Sequence, residues 1–78
     1  MHEVGVAREI LKIALDKAGG KKVKSIKVEL GDDGHTTPLT LTNAFQMVSK
    51  GTFAEEAKLD IENGQGLESR VLELEVEK

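Results

Sequence analysis

The first stretch of the chain carries apolar residues at a helical spacing. Between residues 3 and 18 apolar positions recur every three or four residues, and charged residues fill the opposite side. The apolar positions are Val4, Val6, Ala7, Ile10, Leu11, Ile13, Ala14, Leu15 and Ala18. Glu3 suits the positive end of a helix dipole, and Gly19-Gly20 can supply the left-handed residue that ends a helix. The pattern predicts an amphipathic helix over residues 3–18.

From Lys22 to Leu30 the pattern changes to alternation. Ile26, Val28 and Leu30 fall on one side of an extended chain. Polar residues fall on the other side, namely Ser25, Lys27 and Glu29. This alternation is typical of a strand with one face in the core and one face in water.

A second helix is predicted after the polar loop of residues 31–35. Thr36-Thr37-Pro38 combines a threonine cap with a proline in the first turn, where a missing N–H costs nothing. Lys50-Gly51 places a cation and a glycine where this helix should end. The stripe expected to be buried comprises Leu41, Ala44, Phe45 and Val48, and Met47 is expected to fill space in the core.

The last third of the chain alternates in two segments around a turn. Residues 58–62 form the first segment, and Asn63-Gly64-Gln65-Gly66 has the composition of a turn. In the second segment three apolar residues share one face, namely Leu72, Leu74 and Val76, and they alternate with Val71, Glu73, Glu75 and Glu77. The arrangement predicts a β-hairpin.

The element order α-β-α-β-β predicts a single α/β domain of the α+β type over residues 1–78. A three-stranded sheet with two helices packed on one face would bury each apolar stripe and leave the other sheet face polar. The C-terminal strand is expected at an edge of the sheet. Its alternating glutamates discourage pairing with a second copy without forbidding it, so a homodimer stays open.

Length and composition narrow the functional classes. The 78 residues give room for one domain, and the lack of cysteine excludes disulfides and thiolate metal sites within this sequence. No apolar run approaches the roughly 18 residues that cross a bilayer, and no signal-peptide pattern opens the sequence. The expectation is a cytoplasmic protein with no membrane segment.

Charge and motif content argue against two further classes. The net charge is −3 and the only aromatic residues are Phe45 and Phe53, so the basic patch and stacking aromatics of a nucleic-acid binder are lacking. No nucleophile–base pair, phosphate loop or spaced carboxylate pair stands out. Neither nucleic-acid binding nor an enzyme is therefore expected.

The sequence opens with Met1-His2-Glu3, which has specific coordination chemistry. The α-amine, the amide nitrogen of His2 and the His2 imidazole can close fused five- and six-membered chelate rings on one metal ion. Nitrogen donors in a plane suit Ni²⁺ or Cu²⁺, which favour tetragonal geometry, and Glu3 adds a carboxylate within reach. Taken alone the tripeptide is weak evidence, because a histidine beside an initiator methionine usually has no function.

Further segments are similar to one known family. Met1-His2-Glu3 is followed at once by the amphipathic helix and by a strand that ends in Leu30-Gly31-Asp32, and Asn43-Ala44-Phe45 lies on the second helix. The most similar segments are residues 50–55 and 57–62, and residues 70–76 look like the final strand. In this order and spacing, over nearly the whole chain, the sequence resembles the N-terminal domain of the HypA family. These proteins are metallochaperones for nickel insertion into NiFe-hydrogenase and, in some organisms, urease.

The resemblance carries expectations about metal and partners. It implies nickel binding by the N-terminal block, with His2 as the essential ligand and Glu3 beside it. It also implies docking to a partner GTPase through the first helix, and delivery of nickel to the hydrogenase large-subunit precursor.

Two departures from the family pattern bear on these expectations. Family members carry a zinc module of paired Cys-x-x-Cys motifs between their last two strands, whereas residues 63–66 span that junction here and the sequence has no cysteine. The zinc module is therefore expected to be absent, with no zinc bound. This points to a truncated or redesigned form, with a natural minimal homologue as the alternative. The loop at Asp33-Gly34-His35 also differs from the family pattern.

His35 is the second histidine of the sequence. Its first interpretation is a solvated loop residue before a helix, and its second is a supplementary nickel ligand if the loop folds toward the N-terminus. The candidate metal residues are thus Met1, His2, Glu3 and His35, with Ni²⁺ as the metal. The alternative function is a metal-free interaction domain that retains only the fold and a partner-docking surface.

Overall fold

Within the described part of the chain, two helices and three strands follow one another in the order α-β-α-β-β. The computed structural model describes residues 2–32 and 34–78, apart from the side chain of His2. The elements are α1 (His2–Ala18), β1 (Val23–Leu30), α2 (Pro38–Val48), β2 (Lys58–Asn63) and β3 (Arg70–Val76). Their bounds lie within one or two residues of the predicted ones, so the predicted elements are confirmed.

Small side chains line the buried side of α1. The most buried positions of this helix are Ala7, Ile10, Ala14 and Ala18. Alanine at a contact line lets neighbouring elements pack closely, and α1 accordingly contacts α2, β1 and β3. Arg8, Glu9 and Lys12 on the opposite side are exposed, as the amphipathic pattern predicted.

A capping box fixes the start of α2. The Thr40 N–H donates a hydrogen bond of 3.2 Å to Thr37 Oγ1, and the Thr37 N–H donates one of 2.9 Å to Thr40 Oγ1. Pro38 follows in the first turn. The box satisfies backbone N–H groups that have no intrahelical acceptor, which confirms the predicted helix start.

The buried stripe of α2 is narrower than the sequence predicted. Leu41, Ala44 and Phe45 are buried and Val48 is partly buried, whereas Met47 is 67% exposed. The prediction that Met47 fills the core is wrong. Successive helix positions lie about 100° apart, so Met47 turns away from the stripe that Val48 joins.

The strands form one sheet in the order β2-β1-β3. β1 pairs with β2 in parallel, with Ile26 beside Leu59, and with β3 antiparallel, with Ile26 beside Leu74. The predicted hairpin is therefore wrong, because the last two strands flank β1 and do not pair with each other. Alternation identifies a strand and its inner face, but it does not identify the partner strand.

A register shift in the β1–β3 pair decides which residues at the start of β3 face the core. One extra residue on β3, Leu72, lies between the pairs Lys27–Glu73 and Val28–Val71. Val71 therefore packs on the core, and Leu72 is 39% exposed. The prediction that Leu72 shares a face with Leu74 is corrected by this bulge.

The apolar residues of helices and sheet meet in one core. A single cluster includes Ala7, Ile26, Leu41 and Phe45, with Leu59 and other half-buried residues packed against it. The opposite sheet face is polar, since Lys27, Asp60 and Glu73 lie beside one another across the three strands. The two-layer arrangement with two helices on one sheet face is thus confirmed.

Candidate metal centre

The N-terminal end of α1 is held from its first turns onward. The helix begins at the backbone of His2, and both Val4 and Ala7 pack in the core cluster. Met1 and the side chain of His2 lie outside the described part of the structure. Their assignment as nickel ligands therefore stays a prediction, and the structure contributes the helix that begins beside them.

Glu3 lies in the first turn of α1 and is half-buried. A carboxylate at this position interacts favourably with the positive end of the helix dipole. It also follows His2 directly in the chain, so it adds negative charge beside the predicted nitrogen donors. The predicted position of Glu3 in the first turn is confirmed. Its role as a nickel ligand stays a prediction.

The second histidine lies in the loop between β1 and α2. His35 is exposed, and its neighbour Gly34 has a φ of 79° and donates a backbone hydrogen bond of 3.3 Å to Asp32 Oδ1. On the other side Thr36 is buried and anchors the loop. Asp33 lies outside the described residues.

Among the described side chains, no three from His, Asp and Glu are grouped so that they could hold a metal ion. The structure therefore does not bring His35 and Glu3 together with a further described carboxylate. The role of His35 as a supplementary ligand stays a prediction, as do the roles of Met1, His2 and Glu3.

A tight crossing occupies the place where the family resemblance puts a zinc module. Residues 64–69 leave β2, pass over the end of β1 and enter β3. The Gly64 N–H donates to the Leu30 carbonyl at 2.8 Å, and the Asp32 N–H donates to the Gly66 carbonyl at 2.8 Å. The crossing segment is thus hydrogen-bonded to the last residue of β1 and to Asp32 in the loop that follows.

Gly31 is the residue over which the segment crosses. Its N–H donates a hydrogen bond of 2.8 Å to Ser69 Oγ, and a Cβ atom at this position would lie 2.6 Å from the Glu68 carbonyl carbon. The sequence pattern placed Gly31 in the loop after β1 and gave no signal for Ser69. Because the two residues are 38 positions apart, only the paired strands bring them together.

A family model described as hydrogenase/urease nickel incorporation, metallochaperone, hypA matches residues 1–69. The chain belongs to the HypA family. The match includes Met1-His2-Glu3, both helices and the crossing segment, and it ends directly before β3. Among the described residues no helix has the length and apolar character needed to cross a membrane.

The chain is similar in sequence to curated proteins named hydrogenase maturation factor HypA. The chain is 37% identical over 67 residues to that of Nostoc sp., covering 86% of this chain and 59% of the relative. It is 35% identical over 65 residues to that of Methylocella silvestris, covering 80% of this chain and 58% of the relative. The chain therefore spans a little under three fifths of the length of these two HypA relatives.

A solved structure has the same fold. The solution structure of the Ni metallochaperone HypA from Helicobacter pylori superposes with a TM-score of 0.79, over 95% of this chain and 96% of that chain. The sequence identity in this superposition is 17%, so the likeness concerns the fold alone. The HypA fold confirms the arrangement of two helices and a mixed three-stranded sheet.

Proposed function

We propose that this HypA-family chain is a nickel-carrying domain that binds one Ni²⁺ at its N-terminus. The observation that carries the proposal is the family match, which begins at residue 1 and thus includes Met1-His2-Glu3. The proposed donors are the Met1 amine, the His2 amide nitrogen and the His2 imidazole. Glu3, His35 or water would fill the fourth position.

The start of α1 at His2 is compatible with this chelate. The backbone N–H groups in the first turn of a helix have no intrahelical acceptor. The His2 amide can therefore lose its proton to a metal without breaking a hydrogen bond of the helix. A metal site at this position would leave the packing of Val4 and Ala7 unchanged.

Charge balance also supports nickel at this helix end. A bare cation is disfavoured near the positive end of a helix dipole. The deprotonated His2 amide and the Glu3 carboxylate together supply two negative charges, which offset the two positive charges of Ni²⁺. Glu3 therefore supports binding either as a ligand or as a nearby counter-charge in the first turn.

The proposed partners follow from the family. We propose that the exposed side of α1, which carries Arg8, Glu9 and Lys12, docks the maturation GTPase. Nickel would then pass to the hydrogenase large-subunit precursor, with urease as a second client class. In this account the domain transfers a metal in the cytoplasm and catalyses no reaction.

Zinc has no part in the proposed site. The sequence contains no cysteine, so the thiolate ligands of a structural zinc module are not available within it. The crossing segment at residues 64–69 joins β2 to β3 instead, and three hydrogen bonds tie it to residues 30–32 at the end of β1. We propose that this short crossing stands in place of the zinc module.

Calorimetric titration of the untagged protein with NiCl₂ tests the proposal. We expect one Ni²⁺ per chain, with an affinity that rises with pH because binding displaces protons from the amine, the amide and any charged imidazole. His2→Ala should abolish binding. His35→Ala is the matched control, since it removes the other histidine and should have a small effect.

Two results would contradict the nickel site. One is undiminished binding by the His2→Ala variant, and the other is loss of binding by His35→Ala alone. If the parent protein binds no Ni²⁺, the metal-free interaction domain becomes the better account.

A further inference from the structure

The two edges of the sheet differ in how they are protected. β3 carries the bulge at Leu72 and presents Glu73 and Glu75, both features that oppose pairing with another strand. β2 has no such bulge, although Lys58, Asp60 and Glu62 also place charges along its outer face. Its six residues, from Lys58 to Asn63, pair with β1 in an unbroken register without proline.

The inner face of β2 is incompletely covered. Leu59 and Ile61 point toward the core but are only half-buried, unlike Ile26 and Val28 on the central strand, which are 0% exposed. At an edge strand, alternate residues also leave their N–H and C=O groups without a strand partner. The β2 edge therefore offers both apolar area and backbone hydrogen bonds.

The helix beside this edge has no charge. α2 contains no Asp, Glu, Lys or Arg, although 32% of the chain is charged. Its Thr42 and Gln46 line a groove of about 390 Å³ together with Phe45 and Leu59. The charged residues that line the groove, Glu55, Glu56 and Lys58, all lie outside α2. The surface next to the β2 edge is thus neutral along α2.

We propose that the β2 edge (Lys58–Asn63) is a self-association surface on which a second copy of this chain adds its own β2 antiparallel. A register centred on Asp60 places Lys58 opposite the partner's Glu62, and Leu59 opposite the partner's Ile61. Both pairs occur twice because the twofold axis repeats them. The charges and the apolar residues of β2 are therefore complementary to themselves.

This register also keeps the inner faces of both sheets on the same side. The product is a continuous six-stranded sheet with all four helices on one face, in which the neutral sides of the two α2 helices face each other. A six-residue strand is only about 20 Å long, so the interface belongs to the small class. Association should accordingly be weak, with a Kd in the micromolar range.

One pair in the proposed register is unfavourable and provides a specific test. Asp60 would lie opposite the partner's Asp60, and like charges directly opposite in a sheet are destabilising. Asp60→Asn should therefore tighten the dimer, by roughly threefold or more. Glu75→Asn on β3 is the matched control and should leave the Kd unchanged.

Cysteine cross-linking tests the register directly, because the chain has no cysteine of its own. Directly opposed residues have Cβ atoms about 4.5–5.5 Å apart, and a small movement from this spacing allows a disulfide. Asp60→Cys should give a covalent dimer under mild oxidation. Glu75→Cys, exposed on the other edge strand, should stay largely monomeric.

A charge exchange tests the two Lys58–Glu62 pairs. Lys58→Glu and Glu62→Lys should each weaken the dimer about tenfold, since each places like charges opposite one another twice. The double variant should restore the original Kd. Urea unfolding of each variant at low concentration controls for the ion pair of Lys27 with Glu62, whose atoms are 3.8 Å apart within one chain.

Sedimentation equilibrium on the metal-free protein measures these Kd values, so the outcome is independent of nickel binding. Concentration-dependent dimers, cross-linking at position 60 and recovery in the double exchange would support the proposal. It is overturned if the protein stays monomeric up to roughly 1 mM. It is also overturned if position 75 cross-links as fast as position 60, or if the double exchange does not restore the Kd.

Discussion

Replacing Gly31 with alanine should destabilise the domain through one close contact. The Cβ atom would lie 2.6 Å from the carbonyl carbon of Glu68, and 2.7 Å from the carbonyl carbon and oxygen of Leu67. These are backbone atoms of the segment that crosses over the end of β1. The added methyl group cannot be accommodated by a side-chain rotation, so either Gly31 or the crossing segment must move.

Both ways of relieving the contact give a similar cost. Forcing an extra methyl group into a packed site costs about 1–3 kcal/mol. If the segment moves away instead, the hydrogen bonds from Gly31 to Ser69 and from Asp32 to Gly66 are lost. At about 0.5–1.5 kcal/mol each, these two bonds also amount to about 1–3 kcal/mol. A chain of this length has about 4–12 kcal/mol of stability, so the loss should be easily measured.

Urea unfolding followed by circular dichroism measures the loss, with two glycine variants as controls. At Gly64 the three atoms nearest to an added Cβ all belong to the side chain of Glu29, with Cγ at 2.6 Å. This side chain can rotate aside at the expense of its exposed ion pair with Arg70, which contributes little. Gly64→Ala should therefore cost less than about 1 kcal/mol. Gly5 lies in α1 with no atom within 4 Å of an added Cβ, so Gly5→Ala should stabilise by about 0.5–1 kcal/mol. If Gly31→Ala proves no worse than Gly64→Ala, the crossing is not as tight as described.

Three further outcomes test the core, the cap and the role of metal. Phe45→Ala should cost about 3–5 kcal/mol, because the side chain is 2% exposed, and Leu59→Ala should cost clearly less because Leu59 is half-buried; equal losses in urea unfolding would contradict the core described. Thr37→Ala removes the cap of α2 and should cost about 0.5–2 kcal/mol, whereas an unchanged melting temperature would mean that the capping box is not formed in solution. The fold should persist in EDTA, and elemental analysis should find no stoichiometric zinc, since the sequence has no cysteine; unfolding by the chelator would refute this.

The sequence pattern predicted the elements and their inner faces because each element has a simple period. The alternation of Ile26, Val28 and Leu30 indicated the buried face of β1, and Thr37-Pro38 indicated the start of α2. Strand pairing was not predictable in the same way. The alternation in β2 and β3 shows that each is a strand, but it does not show which strand each pairs with. The bulge at Leu72 was equally hidden, because a single extra residue changes the face without changing the composition.

The candidate metal site was also predictable from the sequence only in part. Met1, His2 and Glu3 are adjacent in the chain, so their combined chemistry could be considered from the sequence alone. The relation of His35 to them depends on the path of the loop between β1 and α2, which no local pattern determines. The contact of Gly31 with Ser69 likewise depends on the crossing over β1, across 38 positions of sequence.

Adding one residue before Met1 tests the central claim most directly. The extension keeps every side chain and the whole of α1, but it converts the Met1 amine into an amide and moves the free amine out of the proposed chelate. If the account is right, Ni²⁺ titration at pH 7.5 should show an affinity at least roughly 100-fold weaker for the extended protein, because losing a direct ligand should cost at least as much as the 10- to 100-fold that losing an outer-shell partner costs. If the extended protein binds Ni²⁺ as tightly as the free-ended one, the N-terminal nickel site is wrong.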